Sequence, residues 1–314
     1  MVFYVFIDPA IIRVAASQGD AGLSCLASLL RAIGENCCVA EFDDWRVSPA
    51  IKQQLAENVP DGTEWSKRLK VLLAHLEKQN RIIFALNAPE PHPPISDLAS
   101  AGQQAAAAEL DAILTSEPVT VSNHGTQVIG LFEFAGSHFD LSRSQHATQG
   151  VTLAGGEHST VEFYTRFLRK LLRHAQRIEF LDRLFGDKYG DHFKFTMRTI
   201  VRAFASGRHK TATRRITVHT GNSPRVAHCR IETATFHADV DVIVEAYDLV
   251  GANPTLPHER YLLTDQFALE IGRGLDLFDK DSNLNRDVSL SFKSRKEVEG
   301  LLTRAAASKL PTPP

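Results

Sequence analysis

The sequence predicts a two-domain α/β protein on three observations. Short apolar runs alternate with amphipathic stretches through the first 135 residues, the pattern of helices layered on a largely parallel sheet. A stretch rich in Gly, Ser, His and Thr, from Ala135 to Glu157, then breaks the periodicity. Beyond it a second alternation of strand and helix patterns runs to the C-terminus. An acidic α/β domain is therefore expected over residues 1–150 and a second α/β domain over residues 158–314, with a linker or crossover loop between.

In the first domain, Val2 to Ile7 is β-branched and aromatic and ends at Asp8-Pro9, the mark of a buried strand. Leu23, Leu26, Ala27, Leu30 and Ile33 share one helical face, and Gly34 closes that helix. Cys37 to Phe42 and Arg81 to Leu86 read as strands, with helical patterns over Pro49 to Asn58 and Glu64 to Gln79 between them. Four prolines between Asn87 and Pro94 demand a loop. The Ala-rich stretch Leu98 to Leu114 predicts a helix, and Val119 to Val121 and Gln127 to Phe134 predict strands.

The second domain opens with a capping box, Ser159-Thr160-Val161-Glu162. A helix to His174 follows, with Val161, Tyr164, Phe167, Leu168, Leu171 and Leu172 on its apolar face and Arg166, Arg169, Lys170 and Arg173 opposite. Strands are expected at Arg177 to Leu181, Arg215 to His219, Val240 to Asp248, near Leu262, near Leu269, and at Val288 to Phe292. Helices are expected at about Phe193 to Ala205, Pro224 to Ala238 and Glu297 to Ala307.

A chain of 314 residues with 43% hydrophobic and 23% charged residues has the composition of a soluble globular protein with a sizeable core. Cys25, Cys37, Cys38 and Cys229 show neither Cys-x-x-Cys nor a zinc spacing, so a reducing, cytoplasmic setting is expected and no cofactor is implied. The opening MVFYVFIDPAII lacks a basic leader region, and no apolar run is long enough to span a bilayer.

Charge is distributed in blocks. Residues 1–165 hold 10 Lys/Arg against 19 Asp/Glu, residues 166–230 hold 16 against 4, and residues 231–314 hold 9 against 14. The basic block suggests a polyanionic partner, either nucleic acid or, less favoured, an anionic membrane surface. The same charges also fit solvated helix faces paired with acidic neighbours. Arg198, Arg202, Arg208, Lys210, Arg214 and Arg215 could line a phosphate-binding groove, with Arg198, Arg202 and Arg215 the leading candidates.

His258, Arg260 and Asp265 follow that block in the order His-x-Arg-x4-Asp. The spacing resembles the phospholipase D signature, with Arg in place of Lys. Such chemistry needs a neutral His to attack phosphorus, a second His to protonate the leaving oxygen, cations on the phosphoryl oxygens and a carboxylate to orient each ring. Arg260 supplies a planar fork suited to phosphate, and Asp265 is the expected partner of His258. One copy per chain supplies one His, so a complete site requires a homodimer. The alternative is structural, with Arg260 pairing to Asp265 or Glu259 and Asp265 serving a turn.

Seven residues after Asp265 comes Gly272-Arg273-Gly274-Leu275-Asp276, with an aromatic residue at Phe278. Together with His258-Glu259-Arg260 this resembles the C-terminal phospholipase D-like domain of the MIT-domain-containing proteins and its bacterial relatives. RIEFLDRLFG, Arg177 to Gly186, resembles the strand opening such domains, which commonly ends in Asp-Pro-Tyr. Asp182 matches, Arg183 replaces the proline and Phe185 is displaced. The resemblance covers residues 165–310. It implies a phospholipase D-like fold, dimerisation and Arg273 on phosphate. The eukaryotic members bind anionic lipid without catalysis, and the bacterial relatives resemble components of antiphage or conflict systems with partner proteins.

In the first domain Asp8, with Asp43 and Asp44 after the second strand, resembles the carboxylate cluster of PIN-like metal-dependent nucleases, which Glu109 and Asp111 could join. Turn carboxylates and helix caps explain the same residues. The leading expectation is a phosphodiesterase or nuclease acting through paired His258 residues. The alternatives are a non-catalytic nucleic-acid- or lipid-binding module and a PIN-like nuclease centred on Asp8.

Overall fold

The computed structural model describes residues 1–42, 46–86, 98–116, 125–207, 214–250, 255–278 and 283–311. Asp43, Asp44, the proline loop, the strand expected at Val119 to Val121, and Arg208, His209 and Lys210 lie outside them. The chain divides into two compact units, Val2–Ala147 and Thr148–Pro314. Both are α/β, one built on a parallel sheet and one on a mixed sheet.

The N-terminal unit has a five-stranded parallel sheet in the order β3-β2-β1-β4-β5. β1 (Phe3–Ile7) and β2 (Cys37–Phe42) are buried at every position, as expected for inner strands covered on both faces. α1 (Ile11–Ser17) and α2 (Gly19–Asn36) connect them. α3 (Val47–Asn58) and α4 (Glu64–Lys78) lead to β3 (Ile82–Leu86). α5 (Leu98–Gln103) precedes β4 (Ala112–Thr115), and β5 (Gln127–Gly130) passes into a 3-10 turn at Leu131–Glu133.

Two expectations fail here for physical reasons. The Ala-rich helix stops at Gln103, and Glu109 turns the chain at φ 57°. Asp111 then exchanges contacts with Tyr4, its backbone N–H donating to Tyr4 O (2.8 Å) and its carboxylate accepting from Tyr4 N (2.6 Å). The sheet slot beside β1 outweighs the local helix propensity of the alanines. The expected linker instead holds α6 (His138–Thr148) and β6 (Val151–Leu153). α6 buries only Phe139 and Arg143, so it has almost no apolar stripe to read. Arg143 ties it down through Glu35 (2.8 Å) and Asp140 (2.6 Å).

The C-terminal unit has a seven-stranded sheet in the order β6-β12-β11-β10-β7-β8-β9. β7 (Arg177–Leu181), β8 (Arg214–Gly221) and β9 (Val240–Tyr247) are mutually parallel. β10 (Tyr261–Thr264), β11 (Ala268–Ile271) and β12 (Val288–Lys293) continue antiparallel from β7, and β6 closes the far side.

The capping box forms as read, with Glu162 accepting from Ser159 N (3.0 Å) and Ser159 Oγ accepting from Glu162 N (3.2 Å). The helix behind it is α7 (Thr160–Phe163), a π-helical turn (Tyr164–Leu168) and α8 (Arg169–Leu172). The widened turn rotates the apolar face, so Val161 is 72% exposed while Phe163 is fully buried. α9 (Asp191–Ala205), α10 (Val226–Thr233) and α11 (Arg295–Ala305) complete the unit. Among the described residues no helix is long and apolar enough to cross a membrane.

Candidate functional site

Strand direction brings a defined set of segments to one edge of the C-terminal sheet. β7, β8 and β9 end there, β11 ends there, and the antiparallel β10 and β12 begin there. The carboxyl ends of parallel strands are where open α/β sheets take ligands. Asp182 and Arg183 leave β7 at this edge, His258 and Arg260 lead into β10, and Gly272 to Asp276 leave β11.

Asp182 organises this edge. It is 2% exposed and accepts from the backbone N–H of Leu184 at Oδ1 (3.1 Å) and of Leu275 at Oδ2 (3.0 Å). One carboxylate thus shapes the turn after β7 and grips the loop after β11. Arg260 Nε lies 3.9 Å from Oδ1. Burial pushes the Asp182 carboxyl above its ordinary pKa, and nearby Asp276 adds to the rise. The two amides and Arg260 oppose it.

Gly274 has φ +65°, and a Cβ there would run into the Asp182 carboxylate and come to 2.6 Å from Arg260 Cγ. Glycine is thus required twice, for left-handed backbone and for close approach. Arg273 pairs with Asp276 at 3.2 Å, and Asn285 Nδ2 donates to Asp276 Oδ1 at 3.1 Å. Leu275, Leu277 and Phe278 anchor the loop in the core, Phe278 edge-on to Phe163 with centroids 5.3 Å apart.

The Nε–H groups of Arg183, Arg260 and Arg273 are enclosed and find no hydrogen-bond acceptor among the described residues, a condition that Arg143 and Arg295 share elsewhere. Each buried donor left unpaired costs about 1–3 kcal/mol. An anion at this edge would supply acceptors to groups that have none. His258 stands exposed in the bend before β10, on the same edge.

Asp265 departs from its expected role. β10 occupies the whole interval between Arg260 and Asp265, about 17 Å at about 3.4 Å per residue. Asp265 therefore lies at the opposite sheet edge. Its Oδ1 accepts from Gln176 N (2.8 Å), and its backbone carbonyl accepts from Arg295. It serves the turn between β10 and β11 and does not orient His258. Arg260 pairs with Asp182 rather than with Asp265 or Glu259.

The other arginines divide. Arg198 and Arg202 are exposed on α9, with Arg198 stacked over Phe236 at 5.1 Å. Arg215 starts β8 at the Asp265 edge and pairs with Asp241 at 3.3 Å. Arg215 therefore does not join Arg260 and Arg273.

In the N-terminal unit Asp8 ends β1 where the strand order reverses between β1 and β4. It accepts from Ala10 N (2.9 Å) and Ser116 Oγ (2.5 Å). Asp111 begins β4 at the other end of the sheet, so it does not gather with Asp8. No group of three or more His, Cys, Asp or Glu among the described residues is arranged to hold a metal.

Sequence reasoning missed a charged cluster on β7, β8 and β9. His219, 6% exposed, has Nδ1 3.3 Å from Glu245 Oε2 and 2.9 Å from Tyr247 Oη. Its Nε2 faces Glu179 Oε2 at 3.4 Å without closing a hydrogen bond. Lys309 pairs with Glu245 at 2.7 Å. Burial lowers the His219 pKa, but the two carboxylates more than offset it and the net shift is upward. Glu245 is held down to about 2, chiefly by His219. The readable signal was an ionisable residue interrupting the apolar run of each of three neighbouring strands, Glu179, His219 and Glu245.

No family model matches the chain, and no curated protein does. One solved structure, of the archaeal chromatin protein TrmBL2, described as showing a novel mode of DNA binding, aligns at 13% identity over 77% of this chain and 80% of its own. Its TM-score is 0.25, a likeness too slight to carry an argument about fold or ligand.

Proposed function

We propose that the C-terminal unit is a phosphate-binding module that holds the phosphodiester backbone of a nucleic acid at the edge formed by Asp182, Arg260 and Gly272 to Asp276. The observation that carries this reading is the placing of Arg183, Arg260 and Arg273 together at the edge where β7 and β11 end, each with an Nε–H that finds no acceptor among the described residues. A guanidinium fork matches phosphate oxygens in geometry and charge. Exposed Arg198 and Arg202 extend the basic character along α9, which favours a polymer over a single lipid headgroup. The reading agrees with the phosphate contact implied by the resemblance to phospholipase D-like domains.

Binding is favoured over cleavage because Asp265, the expected orienting carboxylate, lies at the far edge from His258. Cleavage through His258 is the second reading, supported by its exposure beside Arg260, and it requires two copies of the chain.

The test is incubation of the full chain with single-stranded DNA, RNA and phosphatidylserine vesicles at several salt concentrations, with and without EDTA. Nucleic acid should bind with an affinity falling steeply as salt rises. Arg260→Ala and Arg273→Ala should each weaken it. Vesicle binding without nucleic-acid binding, or affinity indifferent to salt, refutes the proposal. EDTA-resistant cleavage that disappears in His258→Ala would establish the second reading.

A further inference from the structure

We propose that Asp182 competes internally for Arg260, so that a phosphodiester draws Arg260 away and binding takes up one proton at the carboxylate left behind. This rests on the phosphate-binding reading above and adds its regulation.

The geometry carries the argument. Asp182 cannot follow Arg260, because its two oxygens are each held by a backbone amide, from Leu184 and from Leu275. Arg260 is not so bound. Among the described residues its one ion pair is with Asp182, at the loose distance of 3.9 Å, and its Nε–H finds no acceptor there. The guanidinium can turn toward a ligand while the carboxylate stays.

Charged groups reach Asp182 from three segments, and β8 packs on it through its backbone, His219 O accepting from Asp182 N at 3.0 Å. Arg183 is next in the chain, Arg260 leads into β10, and the loop after β11 brings Arg273 paired with Asp276. Asp276 raises the carboxyl pKa and Arg260 lowers it. Moving Arg260 onto a phosphate removes the lowering charge, and the phosphate adds a repelling one. Both changes favour the neutral acid in a site that already disfavours charge. The proton comes from solvent, and Asp182 then keeps only its amide contacts.

Proton uptake makes affinity pH-dependent. Where Asp182 is ionised when free and protonated when bound, the association constant rises by up to about tenfold per unit of falling pH. At higher pH, with Asp182 ionised in both states, affinity is lower and flat.

The test uses a thymidylate octamer without terminal phosphates, whose diesters do not titrate in this range. Binding to the full chain is followed by calorimetry in two non-phosphate buffers of different ionisation enthalpy, between about pH 5 and about pH 8. The expected result is a net uptake approaching one proton as pH falls. His258→Ala should retain that uptake, and Asp182→Asn should bind without it. Where Asp182→Asn does not fold, the wild-type and His258→Ala proton counts decide the matter. Octamer binding with no proton uptake overturns this inference and leaves the phosphate-binding reading standing. Uptake lost in His258→Ala also overturns it, since the proton then belongs to His258. No octamer binding at any pH overturns the phosphate-binding reading itself.

Discussion

Gly274→Ala is the sharpest probe of the Asp182 edge. An alanine at φ +65° carries about 1 kcal/mol of left-handed strain. Its Cβ must also displace the Asp182 carboxylate, which is 2% exposed and holds the N–H groups of Leu184 and Leu275. Losing one of those bonds inside the protein adds about 1–3 kcal/mol. The C-terminal unit should therefore lose about 2–4 kcal/mol, lowering its midpoint by about 4–16 °C at about 2–4 °C per kcal/mol for a unit this size. Gly156→Ala is the matched control, with φ +81° and no atom within 4 Å of the added Cβ. It carries the strain alone, about 1 kcal/mol. Scanning calorimetry of the full chain, fitted with a transition for each unit, measures both. Equal shifts in the two variants would mean that Asp182 does not fill the space against Gly274, and the account of the edge would fail.

Three further outcomes follow from the same geometry. His219→Gln removes the cation between Glu179 and Glu245 and should cost about 2–3 kcal/mol after allowance for their partial exposure, measured by urea unfolding. In the wild type the His219 contribution is complete below its unfolded pKa of about 6.5 and fades as pH rises through its raised folded value. The Glu245 contribution is complete above its unfolded value of about 4.5 and fades as pH falls toward about 2. A variant that keeps the wild-type alkaline limb would show that His219 does not hold the cluster. Asp265→Ala should cost about 1–2 kcal/mol through the unpaired Gln176 N–H while leaving oligonucleotide affinity unchanged. A binding loss equal to that of Arg260→Ala would contradict the separation of the two edges. Asp8→Ala should lower only the N-terminal transition, by about 1–2 kcal/mol, because it removes the acceptor of Ala10 N–H and Ser116 Oγ.

Legibility in the sequence followed how a segment earns its place. β1, β2, β7 and β9 are set by apolar runs with flanking turns, and such runs read directly. α6 is held by one aromatic ring and by the ion pairs of Arg143, which no periodicity count detects. β4 follows an alanine run whose helical preference is overruled by the neighbouring strand, a tertiary effect invisible in a local window. The candidate site divided in the same way. Gly272 to Asp276 stood out as a motif, yet its partner Asp182 lies 93 positions before Leu275. His219 showed no ligand spacing because its neighbours are set by strand register, with Glu245 directly opposite it on β9.

Strand length also fixes what a His258-dependent cleavage would need. A four-residue β10 sends His258 and Asp265 to opposite sheet edges. A two-fold dimer that brings two His258 rings together leaves each Asp265 on the far side of its own sheet. An orienting carboxylate would have to come from the His258 edge, where Asp182 pairs with Arg260 and Asp276 lies near Asp182. Asp182 is committed to two backbone amides. Among the described residues Asp276 is held by the side chains of Arg273 and Asn285, which it can exchange. If EDTA-resistant cleavage is found, Asp265→Ala should retain it and Asp276→Ala should abolish it, read on the same oligonucleotide by gel. The reverse pattern would mean that the chain reaches its active form by rebuilding the β10–β11 turn.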